Sequence, residues 1–382
     1  MMMKKTVTFK CIARRRVDAK CNKLVVGNVF RYPNQVIVVG CEDGGIRVYD
    51  LPSNSDHHND KLKLKSILET KGGPIQSILL HDVTKFGSTD LLVGHSGGMV
   101  TVFCNEQIFS RCSITENSVD NLEIDHDATG NLSIVVGDSG GCINAFLPYR
   151  PLWRLRLRDH LSIPQSISKS AVVTCLLATN LTNPSGHISN YILACDDNKQ
   201  LHVIQQGSIL LTLHTQSVVT SMCCGQFLPE SEAATTPGDK SSPSTTTSSQ
   251  LASTQIALGG QDGSIYIMSS FQIYSVEYGS VHLPLMQIMS IPSRETVEMD
   301  YLLCVGYFNS VMLYHAGKAS FKISFQLLNA RCSGIQKDGT LITKYITSDW
   351  VNSMATADVD NDGETEVIIS CLDNSIHFLK VA

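Results

Sequence analysis

The sequence predicts an all-β fold, a seven-bladed β-propeller, from three observations. A hairpin phrase returns seven times, a strand-like run precedes each copy, and a missing strand at one terminus is matched by a spare one at the other. The phrase is an apolar β-branched run, a small residue, a polar turn and a second apolar run. Copies begin at Gln35 (QVIVVGCEDGGIRVYDL), Asp90, Leu132, Tyr191, Gln255, Tyr301 and Glu366 (EVIISCLDNSIHFL). Each sets alternating strand formers around Gly, Asn and Asp, residues that tolerate positive φ, and so reads as a hairpin. Anchored on Gly40, Gly94, Gly137, Cys195, Gly259, Gly306 and Cys371, the copies recur every 43 to 65 residues. Repetition on that scale marks propellers and arrays, because one small sheet cannot bury both its faces alone.

The run before each hairpin supplies an inner strand, from KLVVGNVF at Lys23 and PIQSILLHDV at Pro74 to WVNSMATADVD at Trp350. After most copies comes a fourth run, at 61–69, 107–114, 152–158, 209–214, 271–279 and 319–326, several alternating apolar residues with Lys or Arg. Such alternation suits the outer edge of a blade, where charge blunts strand-to-strand aggregation. The seventh unit stops after three runs, while 6–13 (TVTFKCIA) is left unassigned at the other end. That segment is expected to complete the blade of residues 350–382 and close the ring, making residues 1–382 a single domain. Residues 229–254 are Ser/Thr-rich with almost no large apolar side chains. They are expected to be a disordered insertion between the first two strands of the fifth blade. Thr236 and Ser242, each followed by Pro, are candidate phosphorylation sites there; a tolerated surface insertion is the plainer reading.

A hydrophobic share of 43% with 17% charged residues is enough for a core. A net charge of −5 gives no general reason to expect nucleic acid or an acidic membrane as partner. No run approaches the ~18 apolar residues of a membrane span, so direct insertion is not expected. The basic start lacks an apolar signal-peptide region. Thirteen cysteines without CxxC spacing suit free thiols in a reducing compartment, and the chain reads as cytoplasmic. Nucleophile elbow, HExxH, phosphate-loop and dinucleotide motifs are all absent, so no catalytic residues are assigned and the chain is read as a non-enzyme.

Two constellations could carry function. The loop of Asp358, Asp360, Asp362 and Glu366, with Gly363 at its turn, spaces oxygen ligands as a hard cation such as Ca²⁺ requires. It has no flanking helices and no Glu at loop position 12, so it is not an EF-hand. Weaker copies keep Asp82, Gly87 and Asp90 in the second unit, and Asp125, Asp127 and Gly130 in the third. The alternative is a turn capped by its own side chains, without metal. The second constellation is Trp153, Arg154, Arg156 and Arg158. As a strand it places three guanidinium groups on one face, a candidate partner-binding surface or a charge-protected edge.

The unit of strand, DxDxDG-like loop, VVG, turn and strand resembles the FG-GAP propellers of integrin α-chains and of intracellular scaffold proteins. KLVVGNVF…QVIVVGCEDGGIRVYDL near the start and DVDNDGETEVII near the end resemble the integrin-alpha FG-GAP repeat-containing and kaptin proteins of the KICSTOR complex. SVVTSMCCGQF followed by IALGGQDGSIYIM resembles, more distantly, the Bardet–Biedl (BBSome) propeller subunits. The first resemblance implies a non-enzymatic scaffold in a multiprotein complex, acting in nutrient control of TOR signalling at lysosomes. The second implies a ciliary trafficking subunit. Either would be recruited to its membrane by partners. Structural calcium is the one cofactor the FG-GAP likeness implies. An extracellular integrin-like ligand binder is a further alternative and would need a signal peptide upstream.

Overall fold

The computed structural model describes residues 7–52, 60–127, 129–160, 171–183, 186–228, 254–274, 279–292, 299–316 and 339–382. They form seven antiparallel sheets, meanders except that the outer strand of the last comes from the N-terminus, arranged as a seven-bladed propeller. Blade one, for example, runs Cys21–Gly27, Val36–Cys41, Gly45–Asp50 and Leu64–Glu69 from the axis outward. Among the described residues there is no α-helix, and one 3-10 turn covers Leu157–His160.

The blades interlock at a shared point. In all seven, the register of the first strand slips by one residue just after its start, at Asn22, Gln76, Asp120, Thr174, Thr220, Met286 and Asn352. Such a bulge removes a residue from the ladder and re-aims its neighbours. A polar side chain from each bulge then donates to a backbone carbonyl of the next blade. Asn22 reaches Ile75 (3.1 Å), Ser77 reaches Val119 (2.8 Å) and Asn121 reaches Val173 (3.3 Å). Thr174 reaches Val219 (2.6 Å), Thr220 reaches Leu285 (2.8 Å), and Asn352 bonds the Cys21 carbonyl. Blade six has Met286 at the bulge, and Gln287 donates to Met354 O at 2.9 Å, as Ser77 and Asn121 donate beside Gln76 and Asp120. The bonds circle the axis.

Outside that ring lie seven buried apolar clusters, one at each blade junction. The small residue of the hairpin phrase is set by this packing. A Cβ at Gly40 would stand 2.4 Å from Ile75 Cγ2 of the next blade, and one at Gly137 would stand 2.7 Å from Val173 Cγ1. Cys195 and Cys371 fill the equivalent positions as small buried thiols. Burial pushes the Cys371 thiol up to about 11.

Closure is as expected. Phe9–Arg16 pairs with Ser375–Val381 as the outermost strand of blade seven, beginning and ending three residues later than 6–13. Three outer strands depart from expectation. In blade six that position is filled by Gly339–Ile346, whereas 319–326 lies outside the described residues. In blade five it is split into Gln272–Ile273 and Gly279–Ser280, both paired to the third strand. In blade three it is Arg150–Arg156, so Arg158 falls on the 3-10 turn beyond it. Outer strands have only one paired edge, so less of their sequence pattern is dictated by packing.

The meander also sorts the loops. Connections from first to second and from third to fourth strands lie on one face of the ring. The tight turns between second and third strands share the opposite face with the inter-blade connections. Residues 229–253, between Val219–Gly225 and Gln255–Gly260 of blade five, lie outside the described residues, and Thr236 and Ser242 with them.

Deleting residues 1–16 should bare the buried strand Ser375–Val381 and remove Phe9 from the junction of blades six and seven. The expected outcome is a soluble yield and melting temperature well below the full chain. A monomeric truncation with an unchanged melt would contradict closure.

Candidate functional site

Three places on the ring carry groups that can do more than pack. The first is the central channel, a cavity of about 240 Å³ among the first strands. Lys23, Asp120 and Glu123 line it together with Asn121, Gln287 and Asn352. Burial pushes the Glu123 carboxyl up to about 7, although the Ala178 N–H bonded to it pulls the other way. Burial lowers Lys23, and the nearby Asp120 partly offsets this. Much of the wall is the hydrogen-bond ring described above, so its polarity answers a structural need.

The second is the carboxylate loop between Val351–Ala357 and Glu366–Cys371 of blade seven. One oxygen each from Asp358, Asp360 and Glu366 lie within 4.8 Å of one another. Asp358 accepts the N–H groups of Asp362 (3.2 Å) and Gly363 (2.9 Å), which folds the loop. Glu366 is fully buried; its Oε2 accepts the Val359 N–H at 2.7 Å, and its Oε1 has no hydrogen-bond partner among the described residues. The sequence reading missed the group that faces these oxygens. Lys380, on Ser375–Val381, contacts Asp362 directly and stands 3.2 Å from Asp360, 3.2 Å from Glu364 and 3.5 Å from Glu366 Oε1. Its ammonium holds the Asp362 carboxyl below the usual range, while burial pushes Glu366 up. The donors are the oxygens a hard cation takes, but a divalent ion must displace this ammonium to reach them. A lysine 14 residues past the motif, on a different strand, leaves no signal in local spacing.

The weaker copies fold in a similar way, with no lysine paired to their carboxylates among the described residues. Asp82 Oδ2 accepts the Gly87 N–H (3.0 Å), and fully buried Asp90 accepts the Thr84 N–H (2.8 Å). Asp127 caps Thr129 and Asn131 at 2.9 and 2.8 Å. The rings of His81 and His126 lie 5.8 Å apart, tilted to one another, and His202 sits between Asp196 Oδ2 (3.3 Å) and Thr212 Oγ1 (3.1 Å).

The third place is the rim of blades two and three. Arg154 and Arg156 are exposed on Arg150–Arg156, with Trp153 and Leu155 turned toward the junction with blade four. Trp153 packs against the turn at Gly207, so it anchors the blade more than it offers a free surface. Arg154 donates to Cys142 Sγ at 3.4 Å, and Arg158 pairs with its neighbour Asp159 at 3.6 Å. The structure therefore leaves Arg154 and Arg156 together and separates Arg158. It adds an aromatic run: Phe86 lies edge-on to Phe109 at 5.9 Å, and Phe109 is 5.2 Å from Tyr149. Phe86 is 61% and Tyr149 73% exposed. These rings come from two blades and three separate elements, so the sequence could not group them.

No family model and no curated protein matches the chain. Solved structures do match in shape. The crystal structure of BBS1N in complex with ARL6DN aligns with a TM-score of 0.64 at 9% identity, covering 98% of this chain and 97% of that one. The WD40 β-propeller domain of Doa1 aligns with a TM-score of 0.59 at 12% identity, covering 97% of each. At these identities the likeness establishes the seven-bladed fold. No described helix is long and apolar enough to cross a membrane.

Two outcomes follow. Wild type should melt at nearly the same temperature in EGTA and in millimolar Ca²⁺, while Lys380→Met should melt several degrees higher with Ca²⁺. A large wild-type shift would show that the ammonium yields to the ion. The second concerns pH. Glu123, raised in the fold, contributes stability present below 4.5 and lost as pH rises through about 7. Buried His377, lowered from 6.5 to about 4, contributes stability present above 6.5 and lost as pH falls toward 4. Glu123→Gln should flatten the alkaline limb of the melting-temperature profile and leave the acid limb in place.

Proposed function

We propose that this chain is a non-enzymatic scaffold, a protein-interaction subunit of a cytoplasmic multiprotein complex. The observation that carries it is the aromatic run of exposed Phe86 and Tyr149 around half-buried Phe109, beside the outer strand of blade three that carries Arg154 and Arg156. Aromatic and Arg side chains dominate binding energy at interfaces, and a rigid rim presents them at little entropic cost. The shape likeness to BBS1N, a propeller crystallised with a protein partner, supports the reading.

Within that role, the FG-GAP-like motifs favour a KICSTOR-like function, in nutrient control of TOR signalling at lysosomes. A BBSome-like trafficking role at the cilium is the second reading, favoured by the fold match to BBS1N. Partners, rather than this chain, would make the membrane contact. Asp358, Asp360, Asp362 and Glu366 act here as a structural loop, with calcium secondary to Lys380.

The test is native size fractionation of cells expressing tagged full-length chain, followed by affinity purification and mass spectrometry. Wild type should migrate far above its 41.7 kDa mass with a stoichiometric partner set. Phe86→Ser/Tyr149→Ser/Arg154→Glu/Arg156→Glu should fall to the monomer position. Loss of the chain should leave TOR kinase active after amino-acid withdrawal if the first reading holds. A wild-type chain that runs as a monomer would overturn the scaffold role.

A further inference from the structure

The sevenfold repeat allows each exposed position to be compared with its six counterparts, and one stretch of the turn face stands apart. In every blade the first N–H of the tight turn between second and third strands donates to a carbonyl in the inter-blade connection. The pairs are Glu42–Lys20, Ser96–Pro74, Ser139–Ser118, Asp197–Val172, Gln261–Val218, Tyr307–Pro284 and Leu372–Trp350. The donor residue is polar in five adjacent blades and becomes Tyr307 and Leu372 in blades six and seven. Trp350 enters from the acceptor side, with its ring edge-on to Tyr307 at 6.1 Å. Leu283 precedes the Pro284 carbonyl that holds Tyr307. The four form a connected apolar stripe, and Tyr307, Trp350 and Leu372 are 53%, 49% and 55% exposed.

We infer that this stripe is a docking site for an amphipathic helix of a partner protein, with apolar side chains flanked by basic ones. The inference rests on the scaffold reading and names a partner class for the face opposite the Phe86 and Tyr149 loops. The helix follows from the backbone. The leading N–H groups of the turns and the carbonyls of the connections are already bonded to one another, at 3.1 Å for Tyr307 and 3.0 Å for Leu372. Recognition must therefore run through side chains, as when a helix lays its apolar face on a groove. The same bonds, with Asp349 Oδ1 accepting the Trp350 N–H at 2.8 Å, hold the stripe in place before binding.

The basic flanks follow from charge. Asp349 adjoins Trp350 and Asp373 adjoins Leu372, while Asp262 precedes Gly263, whose neighbourhood is the Leu283 backbone. Arg14 already pairs with Asp373 at 3.2 Å and Lys20 with Glu42 at 3.1 Å. Asp262 and Asp349 make no ion pair among the described residues. The border of the stripe is left with an excess of negative charge.

The test uses the full chain and two fluorescein-labelled amphipathic peptides, one Leu/Lys and one Leu/Glu, read by fluorescence anisotropy. The Leu/Lys helix should bind saturably, about tenfold or more tighter than its acidic counterpart, and weaken as salt is added. Trp350→Ser/Leu372→Ser should lose about tenfold in affinity. Phe86→Ser/Tyr149→Ser, on the other face, should bind as wild type does. Should the first double variant melt early, Tyr307→Ser alone provides the same comparison at a side chain half in solvent. Equal binding by wild type and the stripe variants overturns the inference. So does a wild-type dimer in sedimentation, or retention on phosphatidylcholine vesicles, that Trp350→Ser/Leu372→Ser abolishes, because the occupant is then a second copy or a bilayer. In each of these cases a large native complex in cells would leave the scaffold reading standing.

Discussion

The hydrogen bonds that pass from each inner-strand bulge to the next blade are the constraint on which the remaining architecture depends. A carbonyl facing the axis cannot find a partner inside its own sheet. Left bare in a buried position it would cost ~1–3 kcal/mol, whereas the bond itself contributes only ~1 kcal/mol net. Seven such groups must be satisfied at once, so the bulges recur in every blade with Asn, Ser, Thr or Gln beside them. Blades two, three and six show that the donor can stand one residue past the bulge, as Ser77, Asn121 and Gln287 do. Met286 has no donor to offer, and Gln287 supplies both a donor and an acceptor to Met354. The channel is polar because the ring that lines it is polar.

Around this ring the apolar junctions supply the bulk of the driving force, and they need closure to be complete. Phe378 and Ile368 of blade seven are buried with Leu24 and Ile37 of blade one, joining the two ends of the chain in one cluster. Burying such side chains is worth ~1.5–3 kcal/mol each. The outer strands are bound by weaker demands, which is why they vary in length, position and continuity. Function is free to occupy the places packing does not use: the rim, the loops of one face and the turns of the other.

The loop of blade seven shows how a single distant residue changes the chemistry of a motif. Asp358, Asp360 and Glu366 converge as a cation-binding arrangement requires, and their mutual repulsion calls for a counter-charge. Lys380 supplies that charge from the same sheet, next to the strand that begins with Glu366. An ammonium tethered to the fold needs no metal supply and pays no binding entropy when the chain is already folded. Blade two keeps the loop shape with backbone N–H groups on Asp82 and Asp90, so the shape does not require a cation at all.

The sequence alone carried the number of blades, the strand order within each and the closing strand. These are written in local periodicity and in a count of runs at the two ends. Small residues such as Gly40 and Gly137 were legible as markers, but their reason is the pressure of Ile75 and Val173 from the next blade. The outer strand of blade six was expected at 319–326, outside the described residues, while Gly339–Ile346 fills that position, because an edge strand that packs on one side has little pattern to locate it. The carboxylates of the blade-seven loop were legible from spacing, and their Lys380 partner was not. The Arg strand was legible as an alternation, but where the strand stops, short of Arg158, was not. Grouping Phe86 with Tyr149, or Tyr307 with Trp350 and Leu372, was decided only by tertiary structure. Those residues meet because a meander sends alternate loops to opposite faces and the ring then brings neighbouring blades together, which no local pattern records.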